Sequence, residues 1–186
     1  MLITRALRLS LSATALLAAT GCAMQAPRYQ PSLDSVEALK KTPTSVALGS
    51  FTVQAGLPSS IGLRGSQMSS PVGTDYAAYL ADALELELKL AGKLDPKSKV
   101  EISGVLVKND ISAGGLSTNS GEIEARIVVR NNGTPRYDKV LRAELSWDSS
   151  FLGSVAIPKA QQQYPAIVQK LLAQLWADGA FQSALK

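Results

Sequence analysis

Residues 122 to 147 leave this chain few choices. Ile123, Ala125, Ile127 and Val129 alternate with Glu122, Glu124, Arg126 and Arg130, a period of two that gives a strand one apolar and one wet face. Asn131-Asn132-Gly133-Thr134 follows, and Asn-Gly accepts the positive φ angles of a tight hairpin turn. After Pro135 the partner strand shows Tyr137, Leu141, Ala143, Leu145 and Trp147 against Asp138, Arg142 and Glu144. The two strands pair antiparallel around Asn132-Gly133, with cross-strand pairs such as Glu124 with Arg142 on the solvated side. Slipping the register by one residue would turn the whole apolar set into water, so the turn must fix it. Such a sheet needs a second layer on its dry face.

Two helical segments can supply that layer. From Thr74 to Ala91, Tyr76, Leu80, Ala83, Leu84, Leu88 and Ala91 form one stripe at helical spacing, and Tyr79, Leu86 and Leu90 widen it. Thr74 or Asp75 can cap the free amides of the first turn, and Gly92 stands where a helix ends. Glu85, Glu87 and Lys89 fall off the stripe, on what reads as a solvated face. A final helix is expected from about Tyr164-Pro165, with Ile167, Val168, Leu171, Leu175 and Trp176 on its apolar side. Trp176 at this spacing is a core residue. Asp148 to Gln163, with Gly153 and Pro158, is expected to be a connector.

Two further strands complete the sheet. Val100, Ile102 and Leu106 alternate with Glu101, Ser103 and Lys108, and Ser45 to Val53 forms a first strand whose phase slips at Gly49-Ser50, as at a bulge. The expected fold is α+β: two layers, an antiparallel sheet of about four strands with two helices packed on one face. Residues 54–73, rich in glycine and serine, are expected to form a long loop. Ile61, Leu63 and Met68 are spaced through it, and they either pack on the domain or form part of a partner-binding surface.

The start of the chain has a different character. Arg5 and Arg8 precede a nearly uncharged stretch from Leu9 to Ala19, and Ala19-Thr20-Gly21 leads into Cys22, the one cysteine in 186 residues. Basic, then apolar, then small residues is the order of a secretory signal, and the apolar part is too short to span a bilayer. Ala-Thr-Gly-Cys resembles a bacterial lipobox, in which the cysteine is acylated and the chain is cut before it. That resemblance implies lipidation at Cys22 and anchorage in the outer membrane, since Ala23 follows where an inner-membrane retention signal would place aspartate. The sequence thus divides into a signal peptide at 1–21, an acylated cysteine with a flexible tether at 22–43, and one periplasmic domain at 44–186. Pro27, Pro31 and Pro43 favour extended chain in the tether, with a turn or two of helix between Ser32 and Lys41.

Composition narrows the chemistry. Removing residues 1–21 lowers the 19 basic residues to 17 against 15 acidic and the net charge from +4 to +2, without a basic cluster suited to nucleic acid. With no histidine, imidazole triads and imidazole metal sites are excluded, and nothing in the sequence calls for a cofactor or a metal. A carboxylate pair could still hydrolyse an envelope polymer, but the spacing of Glu101, Glu122, Glu124 and Glu144 singles out no pair. From Thr74 to Leu185 the order of helix, strand, Ser/Gly-rich turn, Asn132-Gly133 hairpin, Arg142-Ala143-Glu144-Leu145-Ser146-Trp147 and C-terminal helix resembles the YajG-like outer-membrane lipoproteins. A weaker likeness is to LptE-type lipoproteins, which plug a barrel partner in lipopolysaccharide transport. The resemblance implies location and fold, with a non-catalytic lipoprotein binding an envelope protein or lipid as the expected function. A lipid carrier, or less readily a carboxylate-dependent hydrolase, is the alternative.

Overall fold

A computed structural model describes residues 23–186; the expected signal peptide and Cys22 lie outside the described residues. In chain order the elements are β1 (Ala23–Gln25), α1 (Leu33–Lys40), β2 (Ala47–Val53), β3 (Ser60–Leu63), β4 (Ser66–Ser69), α2 (Tyr76–Leu90), β5 (Val100–Ile111), β6 (Thr118–Asn131), β7 (Thr134–Asp148), α3 (Gly153–Ala177) and α4 (Gly179–Ala184). The main sheet has the order β2-β5-β6-β7. The expected hairpin forms β6 and the edge strand β7. Asn132 and Gly133 take φ values of 50° and 79°, Asn131 pairs with Thr134, and Glu124 stands opposite Arg142. Ile123, Ala125, Ile127 and Val129 are buried on one face.

The sheet is not antiparallel throughout. β2 runs parallel to β5, with the register shift expected near Gly49 falling between Leu48 and Phe51. A parallel pair needs a crossover, and the chain between these strands returns through α2. The amphipathic stripe of that helix covers the sheet, and Asp75 Oδ1 accepts from the amides of Ala77 and Ala78 at 2.9 and 3.0 Å. α3 lies on the same face. The layers touch closely: a Cβ on Gly121 would stand 2.5 Å from Ile167 Cδ1.

Three further expectations are corrected. α3 starts at Gly153 rather than near Tyr164, and holds Pro158 and Pro165 within it. Each proline lacks the donor for an i−4 bond, but burial of Ala156, Ala160, Tyr164 and Ile167 along one face keeps the segment helical. Residues 54–73 contain a hairpin, β3 and β4, turning at Arg64 and Gly65 with φ values of 49° and 85°. Ile61 pairs with Met68, and both are buried together with Leu63. The hydroxyl of Tyr76, on α2, donates to the Met68 carbonyl at 2.9 Å. These three residues pack on the domain and present no free surface. Finally, β1 pairs in parallel with β4, so the expected tether is built into the fold.

Candidate functional site

The segment from Ala23 to Thr42 is a strap laid over the helical layer. Its extended part follows α2 and α3 in their own direction, held from both sides. On the α2 side, Tyr79 Oη donates to the Pro27 carbonyl at 2.8 Å. On the α3 side, Gln161 Nε2 donates to the Gln25 carbonyl at 2.5 Å and Gln169 Nε2 to that of Gln30 at 2.6 Å. Prolines at 27 and 31 suit this path, since extended chain held by its carbonyls has little need of its own N–H groups. The strap ends in α1, capped by Ser32, whose Val36 and Leu39 are buried.

The clasp of the strap is Glu87, on α2. Its side chain is 0% exposed, against the expectation of a solvated face. Tyr29 Oη donates to Oε1 and Trp176 Nε1 donates to Oε2, each at 2.5 Å, and the Ser32 amide approaches Oε1 at 3.4 Å. Burial raises the Glu87 carboxyl above its ordinary value, more than these donors lower it, and burial likewise pushes the Tyr29 hydroxyl far up. Trp176 is thus a core residue with a polar task, joining α3 to the clasp. Nothing in the spacing of Glu87 marks it; Tyr29 on the strap is the partner that decides its burial.

At the other end of the strap lies an apolar pole. Four of the seven exposed large apolar residues among the described residues gather there: Leu116 at 69%, Phe151 at 70%, Leu152 at 61% and Val155 at 48% exposure. Leu116 stands on the β5–β6 connection, Phe151 and Leu152 on the β7–α3 turn and Val155 in the first turn of α3, and both loops are pinned. Arg64, in the β3–β4 turn, donates through Nε to the Ala113 carbonyl, through Nη1 to that of Phe151 at 2.6 Å and through Nη2 to that of Gly115 at 3.3 Å. Buried Asn119 accepts from the Gly115 amide at 2.6 Å and donates to the Ser149 hydroxyl. The loops are therefore held in one arrangement with their apolar side chains outward.

The outer face of the main sheet is charged and open. Glu122 is paired with Lys108 and with Arg142, each at 2.7 Å, and Arg142 also reaches Glu144 at 3.4 Å and Glu124 at 3.9 Å. Arg126 meets Asp138 at 2.5 Å. Lys108 draws the Glu122 carboxyl below its ordinary value and Arg126 does the same for Asp138. A glycosidase acid needs the opposite shift to that of Glu122; of the carboxylates considered for hydrolysis, Glu122, Glu124 and Glu144 are ion-pair partners of Arg142, and Glu101 stands exposed on β5. The helix–sheet interface, where a lipid carrier would hold its cargo, is filled by side chains such as Phe51, Ile127 and Ile167.

No family model and no curated protein matches the chain. Solved structures do. Protein XCC0632 from Xanthomonas campestris, of the family DUF330, superposes with a TM-score of 0.58 at 10% identity, over 87% of this chain and 96% of that one. The two share a fold. A protein from Caulobacter crescentus CB15 described provisionally as a lipoprotein reaches a TM-score of 0.47 at 13% identity, over 81% and 96% of the two chains. A minor lipoprotein from Acinetobacter baumannii reaches 0.42 at 12% identity, over 74% and 90%. Among the described residues no helix is long and apolar enough to cross a membrane.

Proposed function

We propose that this protein is a non-catalytic lipoprotein, anchored through Cys22 at the periplasmic side of the outer membrane, whose folded body rests on the lipid surface and binds an envelope protein. The observation that carries this reading is the strap. The lipobox-like Ala19-Thr20-Gly21-Cys22 ends one residue before β1 begins, and from Ala23 onward the chain is paired or clasped to the body. An acyl group on Cys22 therefore has no tether to stretch, and anchorage sets the position of the whole domain. The ion-paired outer face of the sheet is then left free toward the periplasm, where a charged partner can meet it. The resemblance to YajG-like lipoproteins supports the same location.

The test is fractionation of cells carrying Cys22→Ser. The unmodified protein is expected in the outer-membrane fraction and the variant in the soluble periplasm, because acyl chains contribute about 0.8 kcal/mol per buried methylene and no helix among the described residues is long and apolar enough to cross a membrane. A variant that stays with the outer membrane would refute anchorage at Cys22.

A further inference from the structure

We infer that the apolar pole formed by Leu116, Phe151, Leu152 and Val155 inserts into the same lipid surface that holds the acyl group of Cys22. This rests on the anchorage proposed above and adds a second, protein-borne contact that fixes the orientation of the domain.

The first described residue, Ala23, lies close to the pole. β1 runs parallel to β4 with Ala23 opposite Gln67, and β4 begins at Ser66, directly after the Arg64-Gly65 turn. Arg64 in that turn holds the carbonyls of Gly115 and Phe151, the neighbours in sequence of Leu116 and Leu152. α3 gives the same answer. Gln25 is bonded to Gln161, which is eight residues, or about 12 Å of helix, from Gly153. Going back from Gln25 to Ala23 recovers about 7 Å of strand, and Cys22 is one residue further. The anchor and the apolar pole therefore share one end of the molecule.

Charge at this end agrees. Across residues 23–25, 64–67, 112–118 and 149–156, Arg64 is the single charged side chain, and the nearest acid is the exposed Asp148, opposite Thr118 at the edge of this end. A lipid surface penalises buried carboxylates and accepts a cation at headgroup level. The pinned loops add a further point, since side chains held outward in advance lose little freedom on insertion. The opposite end, with the Asn132-Gly133 turn and the Pro96-Lys97 turn, faces away from the membrane.

The experiment uses the full acylated protein, purified in detergent and reconstituted into vesicles of phosphatidylethanolamine and phosphatidylglycerol with or without bromine on the acyl chains. Two variants carry an added tryptophan, Phe151→Trp at the pole and Lys97→Trp at the far end, each read against the unsubstituted protein because Trp147 and Trp176 also emit. Insertion to a depth of about 5–10 Å predicts loss of more than about half of the Phe151→Trp emission in brominated vesicles, with the Lys97→Trp emission nearly unchanged. Vesicle-bound protein whose Phe151→Trp emission is unquenched overturns the inference and leaves the anchor standing; the pole would then serve a protein partner or a second copy. Equal quenching of both variants also overturns it, since the domain would have no fixed orientation. Protein that fails to stay on the vesicles overturns the anchorage and this inference together.

Discussion

Glu87 can carry its charge only where water cannot reach it, and this gives the fold a pH dependence of definite sign. Its folded pKa is raised above 4.5 by burial, so the folded state holds the proton more tightly than the unfolded chain. Stability attributable to Glu87 is complete below that value and is lost as pH rises through the raised pKa. The melting temperature of Glu87→Gln, measured between pH 4 and 8, should therefore gain on that of the unsubstituted protein as pH rises, because the amide has no charge to bury. A constant difference would show that folding leaves the Glu87 pKa unshifted. Glu87→Leu is a harsher change. It strands the Tyr29 hydroxyl and the Trp176 indole N–H, at about 1–3 kcal/mol for each donor left unpaired. Asp178 works in the opposite direction. Lys139 at 2.9 Å draws its pKa down to about 2 from 3.8, so its contribution is present above 3.8 and lost as pH falls through about 2. Asp178→Asn should remove that acid-side loss in a melt taken from pH 5 down to 2.

At the scale of elements, the two hairpins make contrasting claims. In the large one, Gly133 at φ 79° has open space around its missing Cβ, so Gly133→Val meets no clash and pays only for the left-handed backbone, about 1–2 kcal/mol in a thermal melt. In the small one, Leu63 and Met68 are fully buried, and alanine at either should cost about 2–5 kcal/mol. Leu116→Ser at the exposed pole should stay within about 0.5 kcal/mol. If Leu116→Ser destabilises as much as Met68→Ala, the pole is core and the assignment of these surfaces is wrong. The contrast also marks what the sequence could carry. β6 and β7 were legible because long alternation and Asn-Gly are local signals that tertiary packing had no cause to override. β3 and β4 were not, because each has only four residues and Gly62, Gly65 and the serines dilute their pattern. The length of α3 was hidden by Pro158 and Pro165, whose local cost is met by contacts remote in sequence. The apolar character of Ile61, Leu63 and Met68 was visible, but only the pairing with β1 and the approach of Tyr76 decide that it faces inward.

The whole molecule turns on how its N-terminal segment is held. The lipobox-like signal was legible from local order alone, whereas the strap was not, since β1 is three residues long and its bonds go to residues far along the chain. Tyr79, Gln161 and Gln169 reach backbone carbonyls, which any sequence would offer, and only the pair of Tyr29 with Glu87 requires particular side chains at both ends. A strap with so few specific contacts can still be decisive, because it removes the freedom that a tether of about 20 residues would have, roughly 25 Å of flexible reach. Hydrogen exchange provides the measurement. The Ala26 amide, bonded to Ser69 at 2.9 Å, and the Val36 amide, bonded to Ser32 at 3.0 Å, should exchange far more slowly than amides of an unpaired chain. Lengthening the connection then separates anchoring from seating. Inserting about twelve Gly/Ser residues between Cys22 and Ala23 adds roughly 20 Å of reach without touching the strap. Such a variant should fractionate with the outer membrane and melt at the same temperature, while an accessible pole would be cut faster by a protease acting after Phe151. Should the longer connection leave that cleavage rate unchanged, the domain does not depend on a short link to sit against the membrane.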